Sequence, residues 1–171
     1  RIVVATQERP LYALRAAIPA DLELEEVLDL APAAAAPADY EWSVSPADAG
    51  GNRILTIYFA TGRAGDVPVV LRGRLAAPLR AVEGQADRMI DLPRLAVLAV
   101  RKQQGEIVIQ ADPAFDVRAD DSTLRNIESM PLAGTYSWLG ADQRPHARLA
   151  LRYKNPDYAG RLVVVPRAPQ V

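Results

Sequence analysis

The only histidine and the few serines are the first side chains to consider for nucleophilic catalysis. A Ser-His-Asp triad would have to use His146, because the chain has no other histidine. None of the serines lies in the Gly-x-Ser-x-Gly sequence that presents a nucleophile on a sharp turn. His146 follows Pro145 in a polar stretch, which is typical of a surface or turn histidine. The sequence therefore predicts no serine-type catalytic centre.

Four aspartates follow one another closely, at Asp112, Asp116, Asp120 and Asp121. A calcium site needs six to eight oxygen ligands and usually a tight loop that contains a glycine. This run has no glycine and is interrupted by Phe115, so we interpret its acids as strand-edge and turn residues. A carboxylate pair for glycoside hydrolysis can be distant in sequence, and no particular pair is favoured. We expect no bound metal and no cofactor.

Two pairs of aromatic residues are the strongest candidates for ligand binding. Tyr40 and Trp42 are predicted to share one face of a strand, and Tyr136 and Trp138 to share one face of another. Exposed aromatic pairs on a β-sandwich can stack on sugars or anchor a protein partner. The competing interpretation, which we favour, is that each tryptophan is a core residue between two sheets.

Composition narrows the class of protein. The chain has 171 residues, 20 basic and 21 acidic side chains, a net charge of −1 and no cysteine. Because the charges are scattered, nothing indicates a nucleic-acid or anionic-membrane partner. The absence of cysteine excludes disulfides and thiol catalysis, and it suits the cytosol as well as an exported bacterial protein that does without disulfides. No apolar run is long enough to span a membrane.

Short alternating segments separated by Gly/Pro turns recur along the whole sequence. They predict an all-β fold, a two-layer antiparallel β-sandwich of the immunoglobulin-like kind with about 10–12 strands and minimal helix. We assign residues 1–171 to a single domain. Because the chain begins at Arg1, we expect it to be an excised segment of a longer protein. Residues 31–39 are expected to form an Ala/Pro-rich loop, and residues 77–88 an irregular stretch.

The prediction centres on a hairpin between residues 89 and 120. The segment 95–100, LAVLAV, is apolar on both alternating faces, which indicates a strand buried on both sides. Gly105 is predicted to supply the turn, and residues 106–110 the return strand. A helix is the alternative for LAVLAV, but Pro93 before it and the polar residues after it leave too little length.

Helix competes with strand in a few other places. Residues 22–28 alternate Leu and Glu, which favours a strand, although Asp21 could cap a helix there. Residues 120–129 are the one place where we predict a helical turn, capped by Asp121 or Ser122. Residues 134–138 are predicted to form a strand.

The order of features resembles β-sandwich segments of large exported or envelope-associated bacterial proteins of uncharacterised function. The resemblance covers about residues 11–110, and five stretches carry it: Ile18–Val27, Trp42–Val44, Arg53–Ile57, Leu92–Val97 and Arg101–Ile107. It is a pattern of hydrophobic and turn residues that contains no functional residue. It implies a β-sandwich module and a periplasmic, cell-envelope or secreted location.

These observations favour a non-catalytic structural or protein-interaction module within a larger exported bacterial protein. Its partners would be other domains of the same chain or a separate protein. The alternative is a carbohydrate-binding module that presents a glycan to the two aromatic pairs. A carboxylate-based glycoside hydrolase is a more remote alternative.

Overall fold

The computed structural model describes residues 1–6, 10–29, 39–76 and 88–167. Over these residues the chain forms thirteen strands, two short 3-10 helices and no α-helix. The strands are β1 (Ile2–Ala5), β2 (Leu11–Pro19), β3 (Leu22–Asp29), β4 (Tyr40–Val44), β5 (Asn52–Arg63), β6 (Asp66–Leu75), β7 (Arg88–Asp91), β8 (Ala96–Val97), β9 (Lys102–Gln110), β10 (Phe115–Ala119), β11 (Ile127–Met130), β12 (Ala147–Tyr153) and β13 (Arg161–Pro166). The fold is all-β and sandwich-like, with three antiparallel sheets, which confirms the predicted class.

The chain divides into two compact units. Unit 1 contains Arg1–Ala77 and Pro93–Gly105, and unit 2 contains Pro78–Leu92 and Glu106–Val171. Strand β9 begins in unit 1 and ends in unit 2. The assignment of residues 1–171 to a single domain stays a prediction. Of the expected irregular segments, residues 31–38 and 77–87 lie outside the described part of the chain.

Unit 1 contains the strands β4-β5-β2-β8 in one sheet and β9-β1-β6-β3 in another. Every second residue in the middle of β2 and β5 is apolar and buried, as the alternation in the sequence predicts: Leu14, Ala16 and Ile18 in β2, and Leu55, Ile57 and Phe59 in β5. Burying each large aliphatic or aromatic side chain contributes about 1.5–3 kcal/mol. The buried members of this core are Ile2, Val4, Leu14, Ala16, Ile18, Val27, Leu55, Ile57, Phe59, Val67, Val69 and Val97.

Unit 2 contains the sheet β10-β13-β7 and the strands β11-β12 beside the second half of β9. The rings of Tyr153 and Tyr158 stack in its core, with centroids 4.4 Å apart. The other buried members are Leu92, Ile127, Leu151 and Leu162. In β12, Ala147, Ala150, Leu151 and Tyr153 are buried and Arg152 is exposed.

The predicted central hairpin is wrong in its turn and in its first strand. Only Ala96–Val97 are paired as β8, Leu98 is exposed, and Ala99 adopts a positive φ of 58° at a turn. Gly105 lies buried within β9, not at a turn. A segment that is apolar on both faces is compatible with many backbone conformations. The hydrophobic pattern of residues 95–100 therefore did not determine the conformation observed.

Two other local predictions are wrong because side chains bond to the backbone nearby. The predicted helical turn at residues 120–129 is an Asp-centred turn, in which the Asp120 carboxylate accepts from the amide and hydroxyl of Ser122, and β11 follows it. The predicted strand at residues 134–138 begins inside the 3-10 helix Leu132–Thr135, where the Thr135 hydroxyl donates to Leu132 O at 2.7 Å. The segment 22–28, in contrast, is a strand as predicted.

Strand β3 contains a bulge that depends on a glycine of β6. The pairing with β6 shifts between Leu24 and Glu26, so that Glu25 is the extra residue. Arg74 Nε donates to the Glu25 carboxylate at 2.8 Å. Opposite the bulge, a Cβ atom on Gly73 would lie 2.5 Å from the backbone oxygen of Glu23. The backbones approach so closely here that only glycine fits.

We predict that Gly73→Ala destabilises unit 1 by about 2–3 kcal/mol, because the added methyl group meets backbone that cannot rotate away. Urea unfolding of a Trp138→Phe background, in which Trp42 alone reports on unit 1, measures the change. Gly50→Ala is the matched control, since Gly50 also lies in unit 1 and its added Cβ approaches only side-chain atoms of Asp48 and Asn52, at 3.3 and 3.4 Å. Equal effects of the two substitutions would contradict the prediction.

Candidate functional site

The first candidate pair, Tyr40 and Trp42, lies on the core-facing side of β4. Tyr40 is opposite Phe59 and Trp42 is opposite Ile57, both of which are buried residues of β5. The Tyr40 hydroxyl donates to Val27 O at 2.6 Å. Trp42 remains 38 % exposed. The pair therefore covers the rim of the unit 1 core, and the indole of Trp42 is its accessible part.

The second candidate pair, Tyr136 and Trp138, does not share a strand face. Both residues follow the 3-10 helix Leu132–Thr135. Trp138 Nε1 donates to the carboxylate of Glu106 at 2.7 Å, and Arg152 donates to the other oxygen of that carboxylate at 3.2 Å. The indole N–H of Trp138 is thus used within unit 2, where it ties the segment after the 3-10 helix to β9.

Tyr136 is the more accessible member of the second pair, at 41 % exposure. The guanidinium of Arg144 lies 4.7 Å from the centre of its ring and donates to the backbone oxygens of Tyr136 and Leu139. Arg144 thereby stabilises the turn that contains Tyr136. Since Tyr40 and Trp42 belong to unit 1, the structure does not bring the two pairs together within one unit.

The polar residues considered for catalysis lie in turns and at strand ends. His146 is exposed at the end of the 3-10 helix Arg144–His146. The Asp112 carboxylate accepts from the amide of Ala114 at 2.8 Å, and the Asp120 carboxylate holds the turn described above. These contacts agree with the interpretation of the acids as strand-edge and turn residues. Over the described ranges, no group of three or more His, Asp or Glu side chains is arranged to hold a metal ion.

Asp116 and Arg167 form the ion pair with the clearest electrostatic effect. Arg167 Nε donates to the Asp116 carboxylate at 3.0 Å, and its terminal nitrogen contacts the same oxygen. This hydrogen bond, opposed by desolvation and supported by the charges of Arg167 and Arg148, holds the pKa of Asp116 below its ordinary value of 3.8. The pair joins the start of β10 to the end of β13.

Gln103 is a buried polar side chain at the start of β9, only 1 % exposed. Its amide oxygen accepts from the backbone N–H of Val97, and its amide nitrogen donates to the backbone oxygen of Leu95, both at 2.8 Å. These two bonds satisfy backbone groups of the irregular segment before and within β8, as a neighbouring strand would. Sequence reasoning missed this role because a glutamine between Lys102 and Gln104 looks like surface.

The outward side of the sheet β4-β5-β2 is the second feature that sequence reasoning missed. Opposite pairs Glu41–Tyr58, Ser43–Thr56, Ala13–Tyr58, Arg15–Thr56 and Ala17–Ile54 place one set of side chains away from the core. We call this set the outer face and define it as Ala13, Arg15, Ala17, Glu41, Ser43, Ile54, Thr56, Tyr58 and Ala60. The alternation of residues 53–61 was the signal that could have identified it.

Fold and site together define the class of this protein: an all-β, sandwich-like protein in which the buried side chains of Gln103 and Thr135 bond to its own backbone. In the described parts of the chain no helix has the length and apolar character needed to cross a membrane. No protein-family model, no curated protein and no solved structure matches the chain.

Replacing Gln103 by leucine is expected to destabilise unit 1 by roughly 2–4 kcal/mol, because the amide of Val97 and the carbonyl of Leu95 lose a buried partner. Urea unfolding measures this effect. Gln104→Leu is the matched control, since this neighbouring glutamine points to the other side of β9 and is less buried. The role assigned to Gln103 is wrong if Gln104→Leu destabilises unit 1 as much as Gln103→Leu does.

Replacing Arg167 by glutamine is expected to raise the pKa of Asp116 toward 3.8. The folded-state pKa is depressed, so the pair stabilises the fold above the unfolded-state pKa, and this contribution is lost as pH falls through the folded-state pKa. NMR titration of the carboxyl carbons measures the midpoint. Arg161→Gln, which removes the partner of Asp91 instead, is the control. An unchanged Asp116 midpoint in Arg167→Gln would refute the assignment.

Proposed function

We propose that this chain is a non-catalytic structural or protein-interaction module within a larger exported bacterial protein. The observation that carries the proposal is the use made of its buried polar side chains. Gln103 and Thr135 are the buried polar residues among those described, and both bond to backbone oxygens or amides nearby. Such groups hold a backbone in place and are not presented to a substrate.

The largely buried carboxylate of Glu106 supports the same conclusion. Its two oxygens accept from Trp138 and Arg152, so the carboxylate links β9 to β12 and to the segment after the 3-10 helix. A general acid or base needs a proton-transfer path to a reacting group, whereas this carboxylate is surrounded by donors that fix its position. A carboxylate-based glycoside hydrolase therefore has less support than a structural module.

A carbohydrate-binding module is the second candidate. Trp42 and Tyr136 remain partly accessible, and an accessible aromatic ring can stack on a sugar. The candidate has less support than the structural module because Tyr40 and Trp138 use their polar atoms inside the fold. The exported location rests on the resemblance of residues 11–110 to segments of envelope-associated proteins.

Sequencing the parent gene on both sides of the region that encodes residues 1–171 tests the proposal. We expect an export signal or membrane anchor upstream and further β segments beside this one. A gene with no export signal would refute the exported location. An adjoining domain that degrades polysaccharide would replace the structural role with the carbohydrate-binding candidate.

A further inference from the structure

Strand β4 is the outermost strand of its sheet, and among the described residues it pairs only with β5. The backbone N–H of Ser45, just after β4, donates to the backbone oxygen of Ile54 on β5. Since hydrogen-bonded pairs recur at every second residue of an antiparallel ladder, the alternate residues of β4 direct their backbone groups away from β5. These residues are Tyr40, Trp42 and Val44. Their N–H and C=O groups form an open strand edge.

The edge of β3, on the same flank of unit 1, is protected by contrast. A bulge at Glu25 interrupts its ladder, and the Tyr40 hydroxyl donates to the backbone oxygen of Val27. Bulges, proline and lysine are among the means by which proteins block a strand edge. Strand β4 has none of these, and its pairing with β5 has no shift in register. The fold thus blocks one edge of this flank and leaves the other open to strand addition.

The charge of this flank specifies the chemistry of a strand that could add to it. Residues 16–52, which include β3 and β4, contain eight acidic residues and no lysine, arginine or histidine. Glu25 and Glu26 form ion pairs with arginines of β6. Glu23 and Glu41 are exposed and have no ion pair or hydrogen bond within the described part of the chain. An added strand therefore meets uncompensated negative charge.

We infer that the open edge of β4 binds an extended basic segment of a partner protein, which adds to the sheet as an antiparallel strand. This inference rests on the interaction role proposed above and names the class of partner. Antiparallel addition continues the arrangement of the protein's own sheets and is the more stable one. A second copy of the chain fits less well, because pairing two β4 edges would bring two acidic strands together.

The period of the ladder specifies the sequence of the partner segment. A residue opposite Trp42 lies on the core-facing side, beside the partly exposed indole, so an apolar side chain fits there. A residue opposite Glu41 lies on the outer side, where a lysine or arginine gains a cross-strand neighbour of opposite charge. The segment therefore alternates apolar and basic residues, and its apolar residues exchange backbone hydrogen bonds with β4.

NMR titration of the native chain with the peptide acetyl-KVKVKVK-amide tests the inference. We expect a saturable shift of the Trp42 indole signal below about 1 mM peptide, with the Trp138 indole as an internal control. The peptide acetyl-EVEVEVE-amide should bind about tenfold more weakly or worse. N-methylation of the valines, whose N–H groups face β4, should abolish binding. N-methylation of the inner lysines should leave the affinity within about threefold, because their N–H groups face solvent.

Glu41→Lys should weaken binding of the lysine peptide about tenfold or more and strengthen binding of the glutamate peptide. Glu128→Lys is the matched control, because it reverses an exposed acid on β11, an edge strand of unit 2. Circular dichroism establishes that each variant folds. If Glu41→Lys does not fold, Glu41→Gln replaces it and should weaken binding about threefold.

Three results would overturn the inference: no shift of the Trp42 signal, equal binding of the two N-methylated peptides, or unchanged affinity in the Glu41 variant. Sedimentation velocity without peptide adds a fourth, since a dimer that Glu41→Lys disrupts would assign the edge to a second copy. The parent gene is an independent test. An exported multidomain protein whose segment binds no basic peptide would retain the proposed function and remove this inference alone.

Discussion

The two-residue period of β5 is the constraint on which unit 1 depends. Leu55, Ile57 and Phe59 point into the core, while the residues between them point outward. Both neighbours of β5 pair with it in registers that continue this division. A slip of one residue would expose three large apolar side chains and bury Tyr58 and Thr56 instead. The core therefore fixes the register, and the register fixes which side chains form the outer face.

Where strand pairing stops, backbone N–H and C=O groups still need hydrogen-bond partners. In this chain polar side chains provide them. Gln103 replaces a neighbouring strand for residues 95–97, and the Asp120 carboxylate holds the turn before β11. Thr135 closes the 3-10 helix in the same way. These side chains bond to backbone a few residues away, so they determine local paths that the hydrophobic pattern leaves undetermined.

The strands with regular alternation could be predicted from the sequence, whereas the irregular segments could not. The residues of β1, β3 and β12 alternate or are strongly β-branched, and the structure has strands there. Residues 95–100 and 134–138 have strand-forming composition, but their paths depend on Gln103 and Thr135. A hydrogen bond from a buried amide or hydroxyl has no signature in hydrophobic periodicity. The hydrogen bond of Trp138 could not be predicted for the same reason, because its partner Glu106 lies on a different element.

The candidate site was predictable only in part, for a related reason. Sequence spacing correctly placed Tyr40 and Trp42 on one side of one strand, but spacing does not say which side is buried. Pairing with Ile57 and Phe59 makes that side the core side. On the opposite side of the sheet Tyr58 lies between Arg15 and Glu41, whereas on the core side the indole of Trp42 is the accessible group. Gln103 in unit 1 and Thr135 in unit 2 bond to their own backbone, so the side chains of this sheet that remain open to a partner are those at its rim and on its outward side.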